Sequence, residues 1–223
     1  MRLNHLDRSR SDTRDAIRAA AEELYAEHGI NGVTTRALAE RASVNMAAVN
    51  YHFGNKDNLT LEVFRDVCRR TVIRRLESLD RIEAQAKATG TPARIADIVE
   101  AFVDAYVNED DPQSGILLAE FVLKHRVEPN EWTRAIVAEE LDELALRYIA
   151  ALNAAAPHLT PREAHWRYHL MVGAILMTLS DEATGGRIAR LSDGLCAPEN
   201  RMEFRREMVA FLSDAFGRGE PQT

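Results

Sequence analysis

Apolar residues recur at three- and four-residue intervals along the chain and nowhere alternate over a strand-length run, which predicts an all-α protein. Between Thr13 and His28, the residues Ile17, Ala20, Ala21, Leu24 and Tyr25 share one helical face, and Gly29 stands where a left-handed cap would stop the helix. Ahead of it, Arg2 to Arg14 reads as a loosely ordered polar arm carrying Arg8, Arg10 and Arg14. Val33 to Lys56, VTTRALAERASVNMAAVNYHFGNK, divides into two short helices. Thr34 is placed to cap the first, whose inward positions are Leu38, Ala39 and Ala42. Ser43-Val44-Asn45 makes the turn, with Val44 inward and Asn45 as a second cap, and Met46 to Phe53 forms the second helix.

A long amphipathic helix follows from Asn55 to Ala88, with Leu59, Val63, Phe64, Val67, Val72, Leu76, Leu79 and Ile82 near the helical period. Asp57 suits the positive end of its dipole. TGTP at 89–92 is the clearest breaker in the chain. Beyond it, Pro and Gly-Gly punctuation bounds helices expected over roughly 94–109, 113–126, 130–155, 161–183 and 200–217. The domains expected are a head over 1–55, with its paired helices at about 34–53, a connecting helix over 56–88 and a body over 89–223.

Two helices of about two turns, three or four residues apart, match a helix-turn-helix. In that motif the second helix enters the major groove, so its outward residues must let the backbone approach and must also touch bases and phosphates. Ala47 and Ala48 are short enough for the first requirement. Asn50 offers an amide that pairs with adenine, while Tyr51 and His52 reach phosphate oxygens, and Lys56 adds a point charge at the next helix. Short Ala-rich helix pairs with a Thr cap also occur in other all-helical proteins, so the pattern alone leaves both readings open.

The run TTRALAERASVNMAAVNYHFGNKDNL, preceded by IRAAAEELYAEHGINGV, resembles the N-terminal domain of the tetracycline-repressor (TetR) family of bacterial transcription regulators over about the first sixty residues. The resemblance implies cap, phosphate or base contacts from Thr34, Thr35 and Arg36, and recognition-helix or flanking contacts from Met46, Ala47, Ala48, Asn50, His52 and Lys56, beside which Asn45 and Tyr51 complete the candidate DNA-binding set. It also implies that the arm can lie in the minor groove. The family usually carries Tyr where this chain has Asn50, and Tyr51 comes one place later, which leaves open which of the two reaches the phosphate.

The net charge of −7 disfavours DNA until it is divided by region. Residues 1 to 75 hold 13 Lys and Arg against 10 Asp and Glu, a balance of +3, and the remainder stands at −10. An acidic body could orient the head toward the duplex, but a solvated acidic surface is the simpler explanation. Cys68 and Cys196 are 128 positions apart, with no CxxC spacing, which fits a reducing cytoplasm. The N-terminus has no apolar signal core and no run reaches membrane-spanning length. There is no GxSxG, GxxxxGK[ST] or HExxH, so an enzyme is not expected, nor is a cofactor. His165 and His169 have zinc-compatible spacing, but beside Trp166 and Tyr168 they read as packing residues, and no metal site is expected.

In the body, Leu79, Phe102, Tyr106, Leu118, Phe121, Leu141 and Leu144 are candidate walls of a pocket for a small apolar effector, with Tyr106 and His125 as polar anchors; each fits ordinary core as well. Trp166, Gly173, Met177, Phe204, Met208, Phe211 and Leu212 make the last two long helices more apolar than one small body needs, pointing to a homodimer interface. The function expected is a sequence-specific regulator, a repressor released from a palindromic operator by its effector. An effector-independent DNA binder is the first alternative, and a helical protein-interaction module the remote one.

Overall fold

The computed structural model describes residues 3–108, 111–181 and 185–217, leaving out the side chains of residues 3–9 and of Pro112. Among these residues every regular element is helical: α1 (Leu3–Gly32), α2 (Thr35–Arg41), α3 (Met46–Phe53), α4 (Lys56–Thr89), α5 (Ile95–Asp104), α6 (Pro112–Val127), α7 (Glu131–Glu140), α8 (Asp142–Ala155), α9 (Pro161–Leu179), α10 (Arg187–Leu191) and α11 (Arg201–Gly217).

Caps fix several of these boundaries. Thr34 accepts the Ala37 amide, Asn45 the Ala48 amide, and Asn55 the Asn58 amide, each occupying a donor the first helical turn would otherwise leave unpaired. α9 starts at a capping box between Thr160 and Glu163, with Pro161 in its first turn.

Three expectations about the helices need correction. The arm is helical: α1 starts at Leu3, ten residues before the expected Thr13, and its conformation breaks at Gly29 (φ 69°, ψ 159°). Arg14 holds the early part against the head by pairing with Glu62 and donating to the His52 carbonyl at 3.0 Å. Residues 1 and 2 and the Arg8 side chain lie outside the described residues. The helix expected over 130–155 is divided at Leu141 (φ −112°, ψ −21°) into α7 and α8. The helix expected over 94–109 stops at Asp104, and that expected over 161–183 at Leu179.

Leu24, Tyr25, Leu38, Val49, Phe53, Leu59 and Val63 form the buried centre of the first four helices, and the Tyr25 hydroxyl meets Thr60 Oγ1 at 2.8 Å. α4 then packs in turn on α5, α6, α7 and α8, while α11 lies along α5 and α9. α6 approaches α4 through the stacked rings of Phe64 and Phe121, 4.7 Å apart.

Candidate nucleic-acid interface and body cavity

The turn between α2 and α3 closes tightly. Ser43 adopts a left-handed φ of 55°, the Ser43 and Val44 amides donate to the Glu40 and Ala39 carbonyls at 3.2 and 2.9 Å, and Val44 is half-buried against the core. Val49 and Phe53 anchor α3 from beneath. That leaves Met46, Ala47, Asn50 and Tyr51 exposed, with Ala48 and His52 half-covered. Short residues toward the α3 N-terminus and an amide and phenol a turn later give a face that can approach base edges and reach phosphates.

The residues around this face partly pre-organise it. The Arg10 guanidinium lies over the Tyr51 ring at 5.0 Å, and the His52 ring meets Tyr51 edge-on at 5.2 Å. Sequence reasoning missed Arg10 in this place because it treated the arm as unstructured. Arg36 is well exposed and pairs with Glu40 at 2.9 Å, a contact that a phosphate can replace at little cost. Thr34 and Thr35 stand at the start of α2, Thr34 exposed and Thr35 half-buried. Lys56 differs from expectation: it is half-buried, and Nζ donates to the Ile30 carbonyl at 2.8 Å. That bond ties α4 to the end of α1, so Lys56 also braces the head.

A second junction runs from the head into the body. Glu120 on α6 accepts the Ile30 amide at 2.9 Å, just past the break at Gly29, so the end of α1 is held by α4 on one side and α6 on the other. Glu120→Ala is expected to cost about 1 to 3 kcal/mol, because that amide loses its partner where it is partly buried. Denaturant unfolding measures this, and an unchanged midpoint would mean that the junction carries no energy.

The body holds a cavity of about 100 Å³. Six of the eight candidates for its lining do line it: Phe102, Tyr106, Leu118, His125, Leu141 and Leu144. Leu79 and Phe121 do not, since Leu79 is fully buried elsewhere in the core and Phe121 is engaged in its stack on Phe64. Sequence reasoning missed Arg75, Tyr168, His169 and Val172. The signal for Arg75 was available, as it lies in register with buried Phe64, Cys68, Thr71 and Leu79 on the inward stripe of α4. His125 Nδ1 meets Thr133 Oγ1 at 2.9 Å, and burial followed by the neighbouring Arg126 and Arg134 charges lowers its pKa, which favours the neutral ring.

The dimer candidates divide sharply. Trp166 (61% exposed), exposed Gly173 and Met177 (65%) form one stripe along α9 together with Leu170 (65%), which the sequence reading did not include, and Phe211 (65%) is exposed on α11. Phe204, Met208 and Leu212, by contrast, are at most 8% exposed inside the protomer, where α11 packs on α5 and α9. Their period was read correctly but their face was not, because the α11 stripe they form is the one that closes the body's own core.

Two family models match this chain: bacterial regulatory proteins of the tetR family over residues 17–63, and the tetracyclin repressor-like C-terminal domain over residues 100–215. The HTH-type transcriptional repressor AcnR of Corynebacterium glutamicum is 38% identical over 56 residues, which cover 25% of this chain and 30% of AcnR. The chain therefore spans less than a third of the curated relatives it matches. The fold is shared with a transcriptional regulator from Rhodococcus sp. Rha1 (TM-score 0.62, 20% identity, covering 90% of this chain and 96% of that one). It is also shared with the multidrug binding protein EbrR complexed with imidazole (TM-score 0.51, 22% identity, covering 89% of this chain and 93% of that one). Since the C-terminal model alone spans more than half of the sequence and the N-terminal model covers the helix-turn-helix, this chain belongs to the TetR family of transcriptional regulators.

Proposed function

We propose that the protein is a cytoplasmic homodimeric repressor that binds a roughly palindromic operator through α3 and leaves it when a small molecule occupies the body cavity. Residues 1–55 are the reading head, 56–88 the connecting helix and 89–223 the effector and dimerisation body. The observation that carries this reading is that one helix serves both sites: α4 braces the head through Lys56 and lines the cavity through Arg75, nineteen residues and about 28 Å further along. α6 repeats the arrangement, with Glu120 on the head and Leu118 and His125 on the cavity. A ligand that shifts either wall changes the angle at which a head is presented. If it prefers the non-binding arrangement by about 1 to 3 kcal/mol, operator affinity falls about five- to 150-fold.

The DNA contacts fall to Thr34, Thr35, Arg36, Asn45, Met46, Ala47, Ala48, Asn50, Tyr51 and His52. Lys56 belongs to that set mainly as the residue that positions it. Gel-shifts with the DNA flanking the gene, repeated over a salt series, test the assignment. Tyr51→Ala is expected to weaken binding to all sequences and to flatten the salt dependence, and Asn50→Ala to alter sequence preference more than overall affinity. Unchanged binding by both variants would rule out α3 as the reading helix.

A further inference from the structure

Arg75 is the one cavity-lining side chain whose chemistry the protein itself leaves incomplete. It is 2% exposed, and its Nη2 has no hydrogen-bond partner among the described residues. Its Nε donates to the Phe102 carbonyl at 3.3 Å, and the guanidinium carbon lies 4.4 Å from the Phe102 ring centre and 4.3 Å from that of Tyr106. Those rings hold the cation in place without neutralising it.

No carboxylate among the described residues forms an ion pair with Arg75. Asp104 and Glu140, on the neighbouring helices, are taken by Arg205 and Arg69. The hydroxyls around it are not anions either. Burial pushes the Tyr148 phenol up to about 12 and raises Tyr168 as well, while Tyr148 spends its proton on the Arg75 backbone carbonyl at 2.9 Å. Of the other charged or titratable groups lining the cavity, Arg126 adds positive charge at the exposed mouth, Asp142 is the single acid there, and His125 and His169 are both held toward their neutral forms by burial and neighbouring cations. Unlike lysine, arginine does not escape burial by giving up its proton, so a buried unpaired guanidinium persists at a cost unless something anionic joins it.

We infer that the cavity selects a small organic acid, with its carboxylate on Arg75 and its apolar body against Phe102, Tyr106, Leu118 and Leu144. The volume limits the acid to a short-chain carboxylate of about four or five heavy atoms, since a dry cavity of about 150 Å³ takes the six carbons of benzene and this one holds about 100 Å³. A neutral apolar ligand would fit the walls and leave Nη2 unpaired, whereas a carboxylate supplies the planar two-oxygen acceptor a guanidinium matches best. The inference rests on the proposed effector reading of the cavity, and it narrows the effector from apolar to amphiphilic and acidic.

Calorimetric titration of the protein with propionate and with its neutral analogue propionamide tests it, alongside gel-shifts on the same samples. Propionate is expected to bind about tenfold or more tightly than propionamide. Arg75→Met is expected to erase that preference and, without ligand, to melt at a higher temperature than the parent. Val172→Phe, which keeps Arg75 but fills the cavity, is expected to lose both ligands. Equal affinity for the two compounds, no propionate binding, or full propionate affinity in a folded Arg75→Met would each overturn the inference. Propionate binding that leaves operator affinity unchanged would instead overturn effector release while leaving acid selection standing.

Discussion

Gly115→Ala is expected to be among the most damaging single-methyl additions this chain can receive. Gly115 lies in the first turns of α6, where α6 crosses the end of α5. A Cβ built there falls 2.6 Å from the carbonyl carbon of Tyr106 and 2.7 Å from its Cα, when real Cβ atoms keep at least 3.0 Å from such neighbours. The obstacle is backbone, so no rotamer change relieves it, and either α6 or the residues after α5 must move. Overpacking of this kind costs about 1 to 3 kcal/mol or more. In a chain of this size each kcal/mol lowers the melting temperature by about 2 to 4 °C, so a drop of about 5 to 10 °C is expected. Because Tyr106 and Leu118 both line the cavity, the same displacement should weaken ligand binding in whatever fraction still folds. Calorimetric melting of the variant checks the first effect, and a melting temperature within 2 °C of the parent would show that α5 and α6 part without strain. Gly217→Ala, at the end of α11, is the control, as its added methyl would meet nothing within 4 Å.

The sequence made the head legible and the body only partly so, for different physical reasons. Caps are local: Thr34 and Asn45 act on amides three residues away, so their roles follow from spacing alone. Pro161 could be read as a helix start in the same way. The fate of Lys56 was not local, since the Ile30 carbonyl it binds is 26 residues distant and becomes its neighbour only once α1 and α4 pack. Arg10 and the first turns of α1 were hidden likewise, because a polar helix end is held by long-range partners such as Glu62 for Arg14. In the body, period identified which residues turn inward but not which inward residues border empty space. Leu79 and Leu144 carry the same pattern, and only Leu144 touches the cavity. Arg75 contradicts the pattern, and that contradiction, a charge in register with an apolar stripe, is the residue-level signal on which the proposed acid site rests.

Leu170→Glu is expected to convert the protein from dimer to monomer and, with that, to abolish tight operator binding. Trp166, Leu170, Gly173 and Met177 are spaced by four, three and four residues, so they line one side of α9 over three turns. Three of them are large apolar side chains left more than 60% exposed by the protomer, and Gly173 between them leaves room for a partner helix to come close. Such a stripe matches itself when two copies meet about a twofold axis, which fits the proposed palindromic operator. A carboxylate at Leu170 would be desolvated in that contact with no partner, at a cost of several kcal/mol, enough to raise the dimer dissociation constant about a thousandfold or more. Each monomer would then keep one head and lose the gain from two half-sites bound at once. Sedimentation velocity across a concentration series reads the first effect and gel-shifts the second, while an unchanged melt of the isolated protomer confirms that the exposed site carries no internal packing. Met208→Glu separates this face from the alternative: Met208 is buried against the body's own helices, so it should unfold the protomer rather than split the dimer. A Leu170→Glu protein that remains dimeric and retains operator affinity would place the twofold axis on another surface.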